Sequence, residues 1–455
     1  MLTRQSIADA LKREFGEKCI VPGDAAYDEA RIVFVGGIDK RPAAIVRAKN
    51  AGDVAAVVSF AADREVELAV RGGGHSGAGH STTEGGIVLD LRDMTAIEID
   101  PAAGTAWAET GLTAGAFTEA VTKRGLVVGF GDAGSVGIGG ITLGGGVGYL
   151  VRKYGLTVDS LLAAEIVTAD GQVVVADEKS HADLFWAIRG GGGNFGVATR
   201  LKFRLHALPA FTGGMLILPA TAETVAGFVA AAEAAPEGLS TIANVMPAPP
   251  MPFLPPEAHG KMIVMAMMAF AGPDADAEAA LRPFRALAAP IADMVKPSPY
   301  TGMFPPEEGY HPTVAINTMY LSRFGVEDGK TVIDCLANST APMRVAQIRV
   351  LGGAAARVAD DATAYAHRGS AIMVNLVAFY GGAVDRPVQE AWVADFAAAL
   401  AQEDRGAYVN FLADEPPERV RAAYPGATWD RLRQVKRRYD PANLFRLNQN
   451  IPPAA

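Results

Sequence analysis

Cysteine is nearly absent: Cys19 and Cys335 are the only two in 455 residues, far apart and without a CxxC spacing. This argues against a disulfide framework or a thiolate metal site and leaves two buried free thiols as the ordinary reading. No stretch reaches eighteen uninterrupted apolar residues, so a membrane span has nothing to build on. The start, MLTRQSIADALKREF, reads as an amphipathic helix without the apolar stretch of a secretory signal, which makes the cytoplasm the expected location. Positive charge is in deficit, 41 Lys and Arg against 50 Asp and Glu, and a net charge of −9 disfavours a nucleic-acid partner. No cluster of His, Asp and Glu has ligand spacing, so no metal is expected.

Glycine, by contrast, is plentiful, with 50 residues gathered in a few places. Clustered glycine marks backbone that approaches something closely or adopts positive φ. Half the residues are apolar, and a chain this long calls for two or three folding units.

Residues 43 to 71 read as strand, helix, strand, running straight into Arg71 and three glycines. GGIVLDLRDM suits another strand. Hairpins follow at AIEIDPAAGTAWAETG, turning at Pro101 to Gly104, and at AAEIVTADGQVVVADE, turning at Asp170-Gly171. A short helix, AGAFTEAVTKRG, lies between them. HADLFWAIRGGGGNFGVATRLKFRLHAL gives a helix, a glycine turn and a long strand that closes a first unit near residue 208. From 209 to 404 the composition shifts: ten of fourteen methionines lie between Met215 and Met319, and KMIVMAMMAF reads as a strand. Methionine here either lines a pocket for an apolar ligand or fills a core. In 405 to 455, GAYVNFLAD reads as a strand and TWDRLRQVKRRYD as a helix, before an extended close.

Gly72-Gly73-Gly74-His75-Ser76-Gly77 formally satisfies GxGxxG after a strand, but AGHSTTEGG and a second strand follow where a dinucleotide fold needs a helix. A glycine loop between strands can still hold phosphates through converging N–H groups, with Arg71 as a charge partner. SVGIGGITLGGGVGYL carries seven glycines between Gly137 and Gly148 at neither helical nor strand period, which suits a flat ring or diphosphate lying on bare backbone. RGGGGNFG, Arg189 to Gly196, is a third cluster that an ordinary helix-to-strand turn also explains.

RGGGHSGAGHS, SVGIGGITLGGGVGYLVRKYGLTVDSLLAAEIVTADG, DLFWAIRGGGGNFGV and VKRRYDPANLFRLNQNIPP together resemble the berberine-bridge-enzyme-like branch of the vanillyl-alcohol-oxidase flavoproteins. The resemblance covers about residues 40 to 208 and 405 to 455. It implies an α+β protein: a PCMH-type FAD-binding domain of residues 1–208, with its core at about 38–208, completed by 405–455, and an inserted antiparallel-sheet substrate domain, 209–404. It implies FAD bonded covalently to His75. His80 carries no claim to that bond and stands either beside the cofactor or toward solvent. From the first loop, Arg71, Gly72, Gly73, Gly74, Ser76 and Gly79 are expected at the cofactor with these histidines. From the second come Asp132, Ser135, Val136, Gly139, Gly140, Thr142, Gly145 and Gly146, joined by Val167 and Asn448. Relatives that bond the flavin twice use a cysteine where this chain has Ala133, so a single link is expected. Val136 stands where valine is associated with oxygen access, which favours an oxidase that yields hydrogen peroxide over a dehydrogenase with another acceptor, or a flavin-binding protein without turnover.

Acid–base positions depart from the relatives. Arg357 stands about where plant relatives carry a glutamate, Phe411 where others carry a tyrosine, and Gly77 where a tyrosine often follows the histidine. Gln347, Arg349, Tyr365, His367, Tyr408 and Asn410 remain as polar candidates, and Tyr408 and Asn410 are the expected catalytic pair. The apolar, Met-rich middle points to a small, rather apolar organic substrate rather than a sugar.

Overall fold

A computed structural model describes residues 3–304, 307, 309–404 and 406–455. Its first sheet grows from the strand-helix-strand segment. Ala44–Arg47 and Leu68–Arg71 both pair in parallel with Ile87–Asp90, which lies between them, and Cys19–Ile20 closes one edge antiparallel. Parallel strands covered on both faces read as continuous apolar runs, and Ile87–Asp90 is buried at every position. Helix Ala51–Asp63 starts where the Asn50 side chain accepts from the Asp53 N–H, and it buries Val54, Val57, Val58, Phe60 and Ala61.

A second sheet has five antiparallel strands in the order Ile97–Asp100, Thr105–Glu109, Val197–Arg204, Leu161–Val167, Val173–Ala176. Both expected hairpins form. Helix Ala114–Thr122 packs Phe117 edge-on against Phe130 and Phe203 beneath this sheet.

The third sheet is eight-stranded and antiparallel. Its order from one edge is Ala292–Asp293, Phe211–Pro219, Met262–Ala271, Leu239–Pro247, Met343–Val350, Ile372–Phe379, Val314–Leu321, with Lys296–Pro297 also pairing on Phe211–Pro219. Alternation along the strands assigns two faces. Ala243, Val245, Ala346, Ile348, Val374 and Leu376 pack with helices Ala222–Ala234, Asp274–Arg285, Val326–Ala337 and Arg386–Leu400. Asn244, Gln347, Arg349, Asn375 and Val377, offset by one, share the opposite face, which meets the glycine loops. Helix Ala427–Tyr439 returns to the first part of the chain, where Lys436 Nζ donates to the carbonyls of Asn194 and Phe445.

Two local expectations fail. GAYVNFLAD is not a strand but a turn with a 3-10 segment at Val409–Phe411, because Asn410 bonds the Ile141 carbonyl and the Tyr408 hydroxyl instead of a neighbouring strand. The aperiodic glycine run also contains a short helix, Ile138–Leu143, whose Thr142 hydroxyl donates to the Ile138 carbonyl.

Candidate active site

The three glycine clusters, far apart in sequence, meet around one cavity of about 480 Å³, within the range of small-molecule and cofactor sites. Gly73 and Gly137 cross with their backbones in direct contact, so a Cβ on either would overlap the other's main chain. Gly140 is the reverse case: a Cβ there would meet nothing within 4 Å and would point into open space. Gly191, Gly192 and Gly193 add further bare backbone to the wall.

The sheet contributes Val314, Ile316, Asn375, Val377 and Phe379, and the tail contributes Tyr408 to Leu412 and Leu447 to Gln449. No methionine is among the described lining residues; the methionine-rich stretch packs the sheet instead, as Met268 and Met319 do in its helix-covered core. The core alternative is therefore the correct one, and the cavity owes its apolar character to branched and aromatic side chains.

His75 lies on the cavity wall, stacked on Phe34 with ring centroids 3.8 Å apart, while the Phe34 N–H donates to the Gly74 carbonyl. Its Nε2 is 2.9 Å from Ser135 Oγ, which donates at 2.6 Å to Glu307 Oε2. Burial pushes the His75 pKa down to about 4, against the opposing pull of Glu307 and Asp132, so the ring is neutral at physiological pH.

Of the residues expected at a cofactor, Gly72, Gly73, Gly74, His75, Ser76, His80, Asp132, Val136, Gly140 and Asn448 line the cavity, as do Gly77, Ala133 and Phe411. The others stand behind the wall. Arg71 is fully buried, with Nε donating to the Ser81 carbonyl at 3.0 Å and Nη1 to that of Ala30, so its guanidinium staples the loop rather than facing the cavity. Gly79 makes the tight turn below Ser76, with φ 68°, and Ser135 reaches the site through His75. Gly139 packs on Thr110, Gly145 lies against the rings of Tyr365 and Tyr408, and Val167 is buried in the core near the first sheet.

Tyr408 and Asn410 both line the cavity. The Tyr408 hydroxyl accepts from the N–H groups of Gly146 at 2.8 Å and Val147 at 3.3 Å, and from Asn410 Nδ2 at 2.9 Å. Burial nevertheless raises its pKa, the three donors offsetting only part of that effect. Arg349 is buried and binds Asp132 at 2.7 Å, the Val147 carbonyl at 2.9 Å and Gln347 Oε1 at 2.6 Å. Tyr365 and His367 lie one layer back, with the Tyr365 hydroxyl 2.8 Å from that of Tyr320. Arg357 is at the surface, paired with Glu237. Sequence reasoning passed over Phe34, Glu307 and Asn375. Only Asn375 had a signal, a polar residue in period with apolar ones along Ile372–Phe379.

An FAD fits this wall on two observations. Bare glycine backbone is open to a flat or phosphorylated group, and Ser81 Oγ and Asn375 Oδ1, both on lining residues, are buried without a partner in the protein.

Comparison with known proteins agrees. The profile of the FAD binding domain family matches residues 42–177, and that of berberine and berberine-like proteins matches 407–452. The chain is 30% identical over 449 residues to an uncharacterized FAD-linked oxidoreductase of Bacillus subtilis, YvdP, covering 96% of this chain and 98% of that one. It belongs to the berberine-bridge-enzyme-like FAD-linked oxidoreductases.

Within this family the chain is 43% identical over 190 residues to (R)-6-hydroxynicotine oxidase of Paenarthrobacter nicotinovorans, or 42% of each chain. The crystal structure of 6-hydroxy-D-nicotine oxidase from Arthrobacter nicotinovorans superposes with a TM-score of 0.85 at 27% identity, covering 97% of this chain and 98% of that one. The α+β, PCMH-type class expected from the motifs is the observed one. This berberine-bridge-enzyme-like protein is an FAD-dependent enzyme, and among its described residues no helix is long and apolar enough to cross a membrane.

Proposed function

We propose that this protein is an oxidase that holds FAD through a single covalent bond to His75, takes hydride from a small, rather apolar organic substrate and passes the electrons to dioxygen, releasing hydrogen peroxide. The observation that carries the reading is His75 itself: a neutral, half-buried imidazole fixed on the wall of the glycine-lined cavity. Ala133, on the same wall, has no sulfur for a second bond. Bound FAD supplies a two-electron acceptor at its N5. In this reading residues 1–208 and 405–455 hold the cofactor, and 209–404 cover its reacting face.

The chain's own groups set the rest. Val314, Ile316, Val377 and Phe379 exclude water from the sheet side and favour an apolar substrate. Tyr408 keeps its proton on Oη at neutral pH and, with Asn410, orients what enters. Asp132 is the one carboxylate among the described lining residues, and Arg349 holds it. With no uncommitted strong base on the wall, a neutral amine, which loses hydride without first giving up a proton, suits the cavity better than an unactivated alcohol. Val136 on the wall and the oxidase named among the relatives support dioxygen as acceptor.

The test is an absorbance spectrum before and after acid precipitation of wild type and His75→Ala, followed by substrate screening for peroxide. Yellow colour that stays in the wild-type pellet and leaves with the variant is the expected result. Flavin released from the wild type overturns the covalent bond, and slow reoxidation of the reduced protein in air overturns the oxidase.

A further inference from the structure

Ser135 and Glu307 have no evident part in oxidising a substrate, since neither lines the cavity. Their geometry is directional. Ser135 Oγ donates to Glu307 Oε2 at 2.6 Å, and the Ser135 N–H donates to the same oxygen at 3.1 Å. A hydroxyl that has given its proton to a carboxylate presents lone pairs to its other neighbour, so across the 2.9 Å contact His75 Nε2 is the donor. The imidazole proton is thereby assigned to Nε2 and the lone pair to Nδ1. Stacking on Phe34 fixes the plane of the ring, so it cannot exchange its two nitrogens without breaking the stack and the Ser135 bond together.

We propose that Glu307 and Ser135 form a proton relay that activates His75 Nδ1 for attachment to the flavin, an inference that rests on the His75 bond proposed above. Attachment breaks one C–H bond of the 8α-methyl group and the imidazole N–H, and it forms one C–N bond. The two electrons released reduce the cofactor, and dioxygen, the oxidant this step requires, removes them with two protons as hydrogen peroxide. As Nδ1 forms its bond, the Nε2 proton passes to Ser135 Oγ while the Ser135 proton passes to Glu307. The order carboxylate, hydroxyl, imidazole makes the histidine the nucleophile, by the logic of an activated nucleophile with an oriented base. Burial supports this by keeping the ring neutral. Glu307 is 172 residues from Ser135, on the chain segment that carries the large sheet, so the relay is complete only when that segment has folded against the glycine loops. Attachment then follows folding of the whole chain.

The experiment uses full-length apo-protein made under riboflavin limitation and mixed with FAD in air. Flavin fluorescence per protein is read in acid-precipitated pellets over time, for wild type, Ser135→Ala, Glu307→Gln and Glu307→Asp. Gel filtration reports non-covalent binding separately. The expected result is that Ser135→Ala and Glu307→Gln bind FAD but form acid-stable flavin on the order of 100-fold more slowly, the lower range of positioned proton transfer. Glu307→Asp, which keeps a carboxylate, recovers part of the rate, and NMR of the flavin peptide shows the bond at Nδ1. Wild-type rates in Glu307→Gln, or a bond at Nε2, overturn the relay while leaving the His75 bond intact. Loss of FAD binding in all three variants assigns the pair to holding the loop and also overturns it. A wild type without acid-stable flavin refutes the His75 bond instead.

Discussion

His80 shows what burial does to an imidazole that lacks a strong partner. Desolvation, aided by Lys40 and opposed by Asp414, lowers its pKa to about 4. Because the folded value lies below the unfolded one of about 6.5, the unfolded chain binds the extra proton between these limits. The contribution to stability is complete above pH 6.5 and is lost as pH falls toward 4, on the order of 3 kcal/mol in all. Urea midpoints should therefore fall between pH 7 and pH 4.5, and less steeply in His80→Gln; equal slopes would show that the half-buried His80 is not desolvated enough to shift its titration. At Tyr408 the threat is loss of an acceptor. Phenylalanine there would leave the N–H groups of Gly146 and Val147 buried and unpaired, at a cost of about 1–3 kcal/mol. A lower urea midpoint with flavin still bound is the expected outcome for Tyr408→Phe.

At the scale of elements, the glycine loops matter for two different reasons that one pair of substitutions separates. Gly137→Ala drives a methyl group into the Gly73 backbone, where neither loop can yield cheaply, and should destabilise the flavin-free protein by about 1–3 kcal/mol. Gly140→Ala meets no atom of the protein and should leave flavin-free stability unchanged while weakening FAD retention. Equal melting of both flavin-free variants would refute this division. The hairpins at Pro101 to Gly104 and Asp170-Gly171 were legible because turn chemistry is local. The Val409–Phe411 turn was not, because an alternating pattern cannot reveal that Asn410 reaches the Ile141 carbonyl on another segment.

Across the whole molecule, buried cations and the groups they hold tie distant parts together. Lys436 and Asp440 are both fully buried; Lys436 also holds the Asn194 and Phe445 carbonyls, and Asp440 accepts from the N–H groups of Leu444 and Phe445. This network positions the tail that brings Asn448 and Gln449 to the cavity. Lys436→Met leaves a buried carboxylate without its cation and should cost about 3–5 kcal/mol, with loss of bound flavin. Unchanged stability and flavin content in purified Lys436→Met would show that the tail docks by apolar packing alone. Arg349 does the corresponding work for the sheet, crossing from its strand to Asp132 and the Val147 carbonyl.

By itself the sequence determined what depends on neighbours along the chain: strand and helix periods, hairpin turns, the helix-free glycine loop after Arg71, and, through four ordered motifs, the family and its flavin. Only the tertiary structure decided which way side chains point and what they meet. Arg71 turns inward because the Ala30 and Ser81 carbonyls capture its guanidinium, and the strand methionines pack into apolar clusters on both faces of the large sheet, none of them reaching the described cavity wall. Glu307 reaches Ser135 across 172 residues, a contact with no periodic or compositional trace, because such a meeting is set by how the sheet packs on the loops.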